Sequence, residues 1–351
     1  MAVVMTVAAN PTAVSYDIVE TRLEGATRVS TVRAEMAFAS SNVGMQFLVS
    51  DDSIMGAQFT DAELAHQAVY PGFAIMQASL FLDRSLRRAL QIGLGVGTVP
   101  TFLRQQGVAT DAIELSQATV DMAAAHFGYE LCTGEACPRG WTRVMDGLVF
   151  LDDDAAPTSY DVVIIDVYTG FNVLPFYTLE TLGRIRNSWL HRDGVVVMNF
   201  VGYYLEPHMD IVRAIDATFR AVFKHVRLFR EMPANDLHEP ANLVFFASDA
   251  PITFSFPKGF ENPPSGYYEA LVKFQDWEMH LGPTAVDVAA DGSVTTTSAE
   301  PLTKATDLRV FEASHEATVS FMAARCHELL PQRMWDELKA ALAPSSATDS
   351  M

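Results

Sequence analysis

Apolar and polar positions change rhythm twice along the chain. Between residues 15 and 60 short alternating runs recur, around Tyr16, Ile18 and Val19, then Thr27 to Val32, then Met45 to Val49, with Gly25 and the Ser40-Ser41-Asn42 cluster between them. Alternation broken by turn residues predicts strands, and a small β-rich N-terminal domain over residues 1–75. From Asp61 to Phe81 the period lengthens: Leu64, Ala68, Phe73, Met76 and Leu80 recur at roughly helical spacing, and Pro71-Gly72 must start or interrupt that helix.

From residue 88 strand-like and helix-like stretches take turns. Leu90 to Ile92 reads as a strand, Phe102 to Arg104 as part of a helix stopped at Gly107, and the run ending at Glu114 as a second strand. Ser116 is placed to cap a helix in which Val120, Ala123, Ala124 and Phe127 share a face. Strands are predicted over Thr142–Leu151, Tyr160–Asp166 and Gly194–Phe200, helices over Phe176–Leu190 and Asp210–Phe223, and a closing antiparallel pair over Val226–Phe229 and Leu243–Phe246. This order predicts an α/β domain over residues 76–255, a seven-stranded, mostly parallel Rossmann-like sheet whose ligand sits beyond the strands' carboxyl ends. Residues 256–343 read as a C-terminal loop, rich in Ala, Thr, Ser, Asp and Gly at 283–305, followed by helices over Ala313–Leu330 and Met334–Leu342; residues 344–351 read as a disordered tail.

The chemistry concentrates where the first of these strands meets its helix. Gly93, Gly95 and Gly97 let the backbone turn tightly against a ligand, and Pro100 is tolerated in a first helical turn. Glu114 follows Gly93 by about 20 residues, the distance at which a βαβ unit brings an acid to the two hydroxyls of a ribose. A dinucleotide fingerprint would need a third glycine at position 98, which is Thr98; the GxGxG pattern present is the form found in S-adenosylmethionine enzymes. Asp146 and Asp166 close two further strands and face the same crevice. Glu114 is then expected on the ribose, Asp146 on the adenine amino group, and Asp166 at the reacting end, where a carboxylate holds or deprotonates an amine.

Charge bears on the partner. With 43 acids against 24 bases the net charge is −19, which disfavours nucleic acid and anionic membrane and favours a cationic acceptor, such as an amine or a basic peptide. No apolar run reaches membrane length free of Gly and Pro, and Met1 to Ala9 is short and lacks Lys and Arg, so a cytoplasmic protein is expected. Three cysteines are too few for a disulfide framework, and Cys132 and Cys137 are expected to be free thiols. The nine histidines show no ligand spacing, so no metal is assigned.

Together, Gly93-Leu94-Gly95-Val96-Gly97-Thr98, Ile113-Glu114-Leu115, Met145-Asp146-Gly147 and Tyr160 to Asp166 resemble the spermidine synthase (polyamine aminopropyltransferase) superfamily. Asp51-Asp52-Ser53-Ile54, Tyr70 and the stretch from Leu302-Thr303 to Asp307 resemble that family's flanking segments, so the likeness spans roughly residues 15–330. It implies a small N-terminal β-domain on a seven-stranded nucleoside-binding domain, a homo-oligomer such as a dimer, and nucleoside contacts from Gly93, Gly95, Glu114, Asp146 and Gly147. It also implies that Asp166 serves the amine nucleophile.

Two departures decide which group is expected to move. In aminopropyltransferases an acid in the glycine loop holds the aminopropyl ammonium, and the matching residue is Val96; a second acid, three residues after the first in the loop after the fourth strand, grips the diamine, and the matching residue is Thr169. The loss of each charge-assisted hydrogen bond weakens binding by roughly 1.5–3 kcal/mol. The expectation is therefore methyl transfer from S-adenosylmethionine to an amine of a small molecule or peptide, with aminopropyl transfer from decarboxylated S-adenosylmethionine as the alternative and a non-catalytic nucleoside-binding scaffold as the third reading. Asp166 and Tyr168 are the catalytic candidates, and Tyr70, Tyr168, Thr169 and Tyr177 are expected to line the acceptor pocket, with Phe171, Tyr203 and Tyr204 as further aromatic candidates.

Overall fold

The computed structural model describes residues 12–38, 41–65, 67–134, 136–153, 159–232, 237–258, 269–281, 284–288 and 294–340. The expected tail at 344–351 and the N-terminal stretch Met1 to Ala9 lie outside them.

Strands β1 (Thr12–Glu24), β2 (Thr27–Phe38), β3 (Ser41–Ser50) and β4 (Ser53–Phe59) form an antiparallel sheet in sequence order. Its alternation puts Val32, Met36, Met45, Phe47 and Phe59 on one buried face. Helix α1 (Pro71–Gln77) leads from this sheet into the second, and Pro71 occupies its first turn, where a missing N–H costs nothing.

The second sheet contains β5 (Arg88–Ile92), β6 (Ala109–Glu114), β7 (Thr142–Val144), β8 (Tyr160–Ile165), β9 (Leu190–Gly202), β10 (His225–Arg230), β11 (Ala241–Ser248) and a two-residue edge strand, β12 (Glu278–Met279). Their order is β12-β10-β11-β9-β8-β5-β6-β7. Strands β5 to β9 are mutually parallel, and β11 inserts antiparallel between β9 and β10. Central β8 carries Val162, Val163, Ile164 and Ile165, all buried, as a strand covered on both faces requires. The helices between the strands are α2 (Thr98–Gln105), α3 (Gln117–His126), α4 (Gly147–Leu151), α5 (Leu179–Arg184) and α6 (Asp210–Val222). After β11 come α7 (Glu269–Lys273), a hairpin of β13 (Thr284–Val288) and β14 (Val294–Ser298), and helices α8 (Glu312–Leu329) and α9 (Gln332–Ala340).

Four local expectations are corrected. Only Thr142–Val144 of the stretch to Leu151 is strand; Asp146 accepts from the N–H groups of Leu148 (2.7 Å) and Val149 (3.4 Å) and starts α4, because an Asx cap ends extended backbone. The helix expected over Phe176–Leu190 is segmented, with a 3₁₀ turn at Leu174–Tyr177 before α5 and a π turn at Ile185–Trp189 after it; Thr178 begins α5 afresh as its cap. Part of the loop expected at 283–305 pairs as the β13-β14 hairpin, its threonines suiting strands. Cys132 and Cys137 are joined by a disulfide, their Cα atoms 5.8 Å apart and within bridging distance. Cys326 is the free thiol, and it is buried.

On the side of the sheet away from the strands' carboxyl ends, buried charge is spent on scaffolding. The Arg104 guanidinium donates to the carbonyls of Thr110 (2.7 Å), Glu130 (2.7 Å) and Gly140 (3.3 Å) and lies over the Tyr129 ring. Asp111 accepts from Arg88 (2.7 Å), Tyr160 Oη (2.9 Å) and the Trp141 N–H (3.0 Å). Among the described residues no helix is long and apolar enough to cross a membrane, and no group of three His, Cys, Asp or Glu stands as a metal site.

Candidate functional site

At the carboxyl ends of β5, β6, β8 and β9 lies a cavity of about 450 Å³, within the size range of small-molecule sites. The glycine loop forms its floor. Gly93 has φ +84°, and a Cβ there would stand 2.0 Å from the carbonyl oxygen of Asp166, so only glycine lets the two strand ends approach. Gly95 is also left-handed, at φ +53°, and lines the cavity. Gly97 does not line it: it is left-handed at φ +79°, and a Cβ would strike the Tyr129 ring at 2.6 Å, so this glycine serves packing where the chain enters α2.

Glu114 ends β6 with both oxygens held. Oε2 accepts from the N–H of Leu94 (2.8 Å) and Oε1 from that of Ser116 (2.9 Å), which fixes the carboxylate against the loop. Burial pushes its pKa up, and backbone N–H groups from Ser116 and Leu94 oppose the rise. Asp146 and Gly147 follow neighbouring β7, where the Met145 N–H donates to the Glu114 carbonyl at 2.9 Å, and line the cavity with Ile92, Leu115, Leu148 and Phe176.

Asp166, just past the end of β8, is half-buried in the same wall. Desolvation raises its pKa from 3.8 to about 6, against a hydrogen bond from Asn199 Nδ2 at 2.9 Å to its Oδ1 that lowers it. Its Oδ2 has no partner among the described residues. Tyr168 and Thr169 follow in the loop and line the cavity with Tyr70; the Tyr168 hydroxyl is buried and has no partner. Tyr177, in contrast, is not brought to the cavity: it is core, 1% exposed, and its hydroxyl donates to the Asn199 carbonyl. Phe171 is half exposed and stacks edge-on with His315, while Tyr204 lies under the Arg230 guanidinium.

Structure adds residues that sequence spacing does not reach. Asn199 Nδ2 donates also to Asn242 Oδ1 (2.8 Å), and Asn242 Nδ2 to Glu231 Oε2 (2.5 Å), which further accepts the N–H of Gly72 at 2.9 Å. Glu231 is half-buried, and desolvation raises its pKa. Helix α8 supplies Phe321, Met322, Arg325, Cys326 and Leu329 as a lid-side wall. A polar residue within the apolar stretch Val195–Gly202 of β9, as at Asn199, was the available signal for the first of these; nothing local flags Glu231 or α8. Val96 is 4% exposed and packs with Val29, Leu48, Ala118, Met122 and Phe127, while nearby Gln58 is spent on the carbonyls of Ala65 (2.8 Å) and Phe127 (3.0 Å).

No family model matches the chain. It is 25% identical over 237 residues to an N-terminal histidine N-methyltransferase of Emericella nidulans, spanning 61% of this chain and 40% of that protein. It is also 25% identical over 169 residues to the eEF1A lysine and N-terminal methyltransferase of Mus musculus, spanning 45% of this chain and 23% of that one. The chain thus spans less than half the length of the relatives it matches. A solved structure of a probable spermidine synthase from Corynebacterium glutamicum ATCC 13032 superposes with a TM-score of 0.54 over 73% of this chain and 86% of that one, at 17% identity. The likeness expected from the glycine loop and the three strand-end acids is borne out in the architecture: the chain has the fold of the spermidine synthase-like S-adenosylmethionine-dependent transferases.

Proposed function

We propose that this chain is an S-adenosylmethionine-dependent methyltransferase whose acceptor is an amine, most simply an amine of a polypeptide. The observation that carries the choice of group is the wall around Val96. An aminopropyl ammonium held there would need a carboxylate, and the position is a buried valine in an apolar cluster, with neutral Thr169 in the loop after β8. Relatives named as an N-terminal histidine N-methyltransferase and an eEF1A lysine and N-terminal methyltransferase support a polypeptide nitrogen as acceptor.

The residues present fit the cofactor. Glu114 is fixed by two backbone N–H groups where a ribose would lie, Asp146 follows the neighbouring strand and lines the cavity with apolar side chains suited to an adenine face, and Gly93 and Gly95 leave backbone open to the amino-acid tail. The cofactor supplies an electrophilic methyl carbon on a sulfonium. What remains for the protein is positioning and proton removal. An amine would reach the site as ammonium; Asp166 would take its proton at Oδ2, with Oδ1 held by Asn199, leaving a lone pair for the electrophilic carbon that such a cofactor would supply. Tyr168 and Tyr70 line the approach and exclude water.

Calorimetric titration with S-adenosylmethionine and, separately, with its decarboxylated form tests this. Tighter binding of the intact cofactor is expected. Preference for the decarboxylated form would replace methyl by aminopropyl transfer, and binding of neither would leave a scaffold.

A further inference from the structure

Acceptors without partners gather at the cavity. Asn199 is 5% exposed and Gln91 1%, and neither Asn199 Oδ1 nor Gln91 Oε1 has a partner among the described residues. Asp166 and Glu231 line the cavity, and neither Asp166 Oδ2 nor Glu231 Oε1 has a partner among the described residues. The two arginines that line the cavity are engaged, Arg230 with the Glu239 carbonyl at 3.0 Å and the Tyr204 ring, and Arg325 with Glu328 at 2.8 Å. Buried acceptors without donors cost stability unless a ligand brings the N–H groups.

The hydrogen-bond chain orders these acceptors. Both hydrogens of Asn199 Nδ2 are used, one on Asp166 and one on Asn242, and the Asn242 amide is thereby oriented with its NH₂ toward Glu231. Glu231 Oε2 takes that NH₂ and the Gly72 N–H, so the carboxylate is held in place with Oε1 left over. The strand order makes this possible: β9 and β11 are neighbours, and the Glu231 N–H, just past β10, donates to the Asn242 carbonyl at 2.8 Å. Two carboxylates thus line one cavity, bridged by two amides.

We infer that Glu231 is a second anchoring carboxylate, so that the acceptor carries, besides the amine facing Asp166, a side-chain nitrogen held by Glu231. It does from β10 what Thr169 no longer does from the loop after β8. The inference rests on the proposed methyl transfer to an amine, and it specifies the acceptor class: an amine whose neighbouring side chain bears a second basic or N–H-donating nitrogen.

The test is binding of alaninamide, histidinamide and lysinamide to the protein saturated with S-adenosylhomocysteine, measured by calorimetry for wild type and Glu231→Gln. Glutamine keeps one oxygen for Gly72 and Asn242 and turns an NH₂ into the cavity in place of Oε1. Wild type is expected to bind histidinamide or lysinamide at least tenfold more tightly than alaninamide, and Glu231→Gln to remove that preference, with S-adenosylhomocysteine affinity reporting that the variant is folded. A wild-type protein without the preference, one that binds none of the amides, or a variant that keeps the preference overturns the assignment. Failure to bind S-adenosylhomocysteine or S-adenosylmethionine at all would instead overturn the methyltransferase reading.

Discussion

Replacing Asp166 by asparagine separates what this side chain does for stability from what it does for chemistry. Folding raises its pKa from 3.8 to about 6 because burial penalises the charged form, so ionised Asp166 destabilises the fold. The sign follows: at low pH the group is protonated in both states and contributes nothing, while above 3.8 the unfolded chain ionises first and stability falls with rising pH until the folded carboxyl also ionises near 6. The accumulated cost is about 3 kcal/mol at pH 8 and about 1.6 kcal/mol at pH 5. Asp166→Asn removes that cost while its carbonyl still accepts from Asn199. Urea unfolding of both proteins at pH 5 and pH 8 isolates the group from the other acids, because their contributions cancel in the difference. The variant is expected to be the more stable, with the gap about 1.4 kcal/mol wider at pH 8 than at pH 5, and to have lost methyl transfer. A gap of the same size at both pH values, or a variant destabilised at pH 8, would refute the argument that Asp166 is held ionised at a cost.

Other substitutions test the rest of the site. Glu114→Ala is expected to weaken S-adenosylmethionine binding roughly 10- to 100-fold, the value of one charged hydrogen bond, by calorimetry; an unaltered dissociation constant would remove Glu114 from the ribose. Val96→Asp places an unpaired carboxylate in an apolar cluster, so the melting temperature without ligand should fall, and decarboxylated S-adenosylmethionine should raise it further than in wild type. The same variant with Thr169→Asp should shift cofactor preference toward the decarboxylated form; no shift would mean that these positions do not select the group transferred. Thiol titration of the denatured, unreduced protein should count one thiol, Cys326, and three after reduction; three before reduction would exclude the Cys132–Cys137 bond.

The parts of the site that sequence shows are those a single βα unit delivers. Gly93, Gly95, Glu114, Asp146 and Asp166 each sit at a strand end, and a parallel sheet brings its strand ends together by construction. Glu231 and Asn242 come from the antiparallel pair and α8 from far along the chain, so their arrival depends on tertiary packing that no local pattern encodes. Tyr177 shows the converse error: an aromatic near the loop after β8 suits a pocket wall, yet Pro175 and the Thr178 cap turn it inward, where its hydroxyl reaches the Asn199 carbonyl. The run from Gly147 to Leu151 has the apolar content of a strand, and the Asp146 cap overrode it. The disulfide was hidden because the folded distance between Cys132 and Cys137, and not the number of cysteines, decides whether they bridge.

The N-terminal sheet and the last described helices share one core. Val32, Met36, Phe47 and Phe59 pack with Cys326, Leu330, Met334, Trp335 and Leu338. During synthesis the sheet therefore emerges long before the helices that cover its apolar face, and until α9 follows it is an exposed surface open to other chains and to chaperones. A chain stopped before α8 would lack a wall of the cavity and expose Phe47 and Met36 together, so nascent fragments are held both inactive and prone to aggregate. The site is completed last, by the same helices that make the sheet soluble.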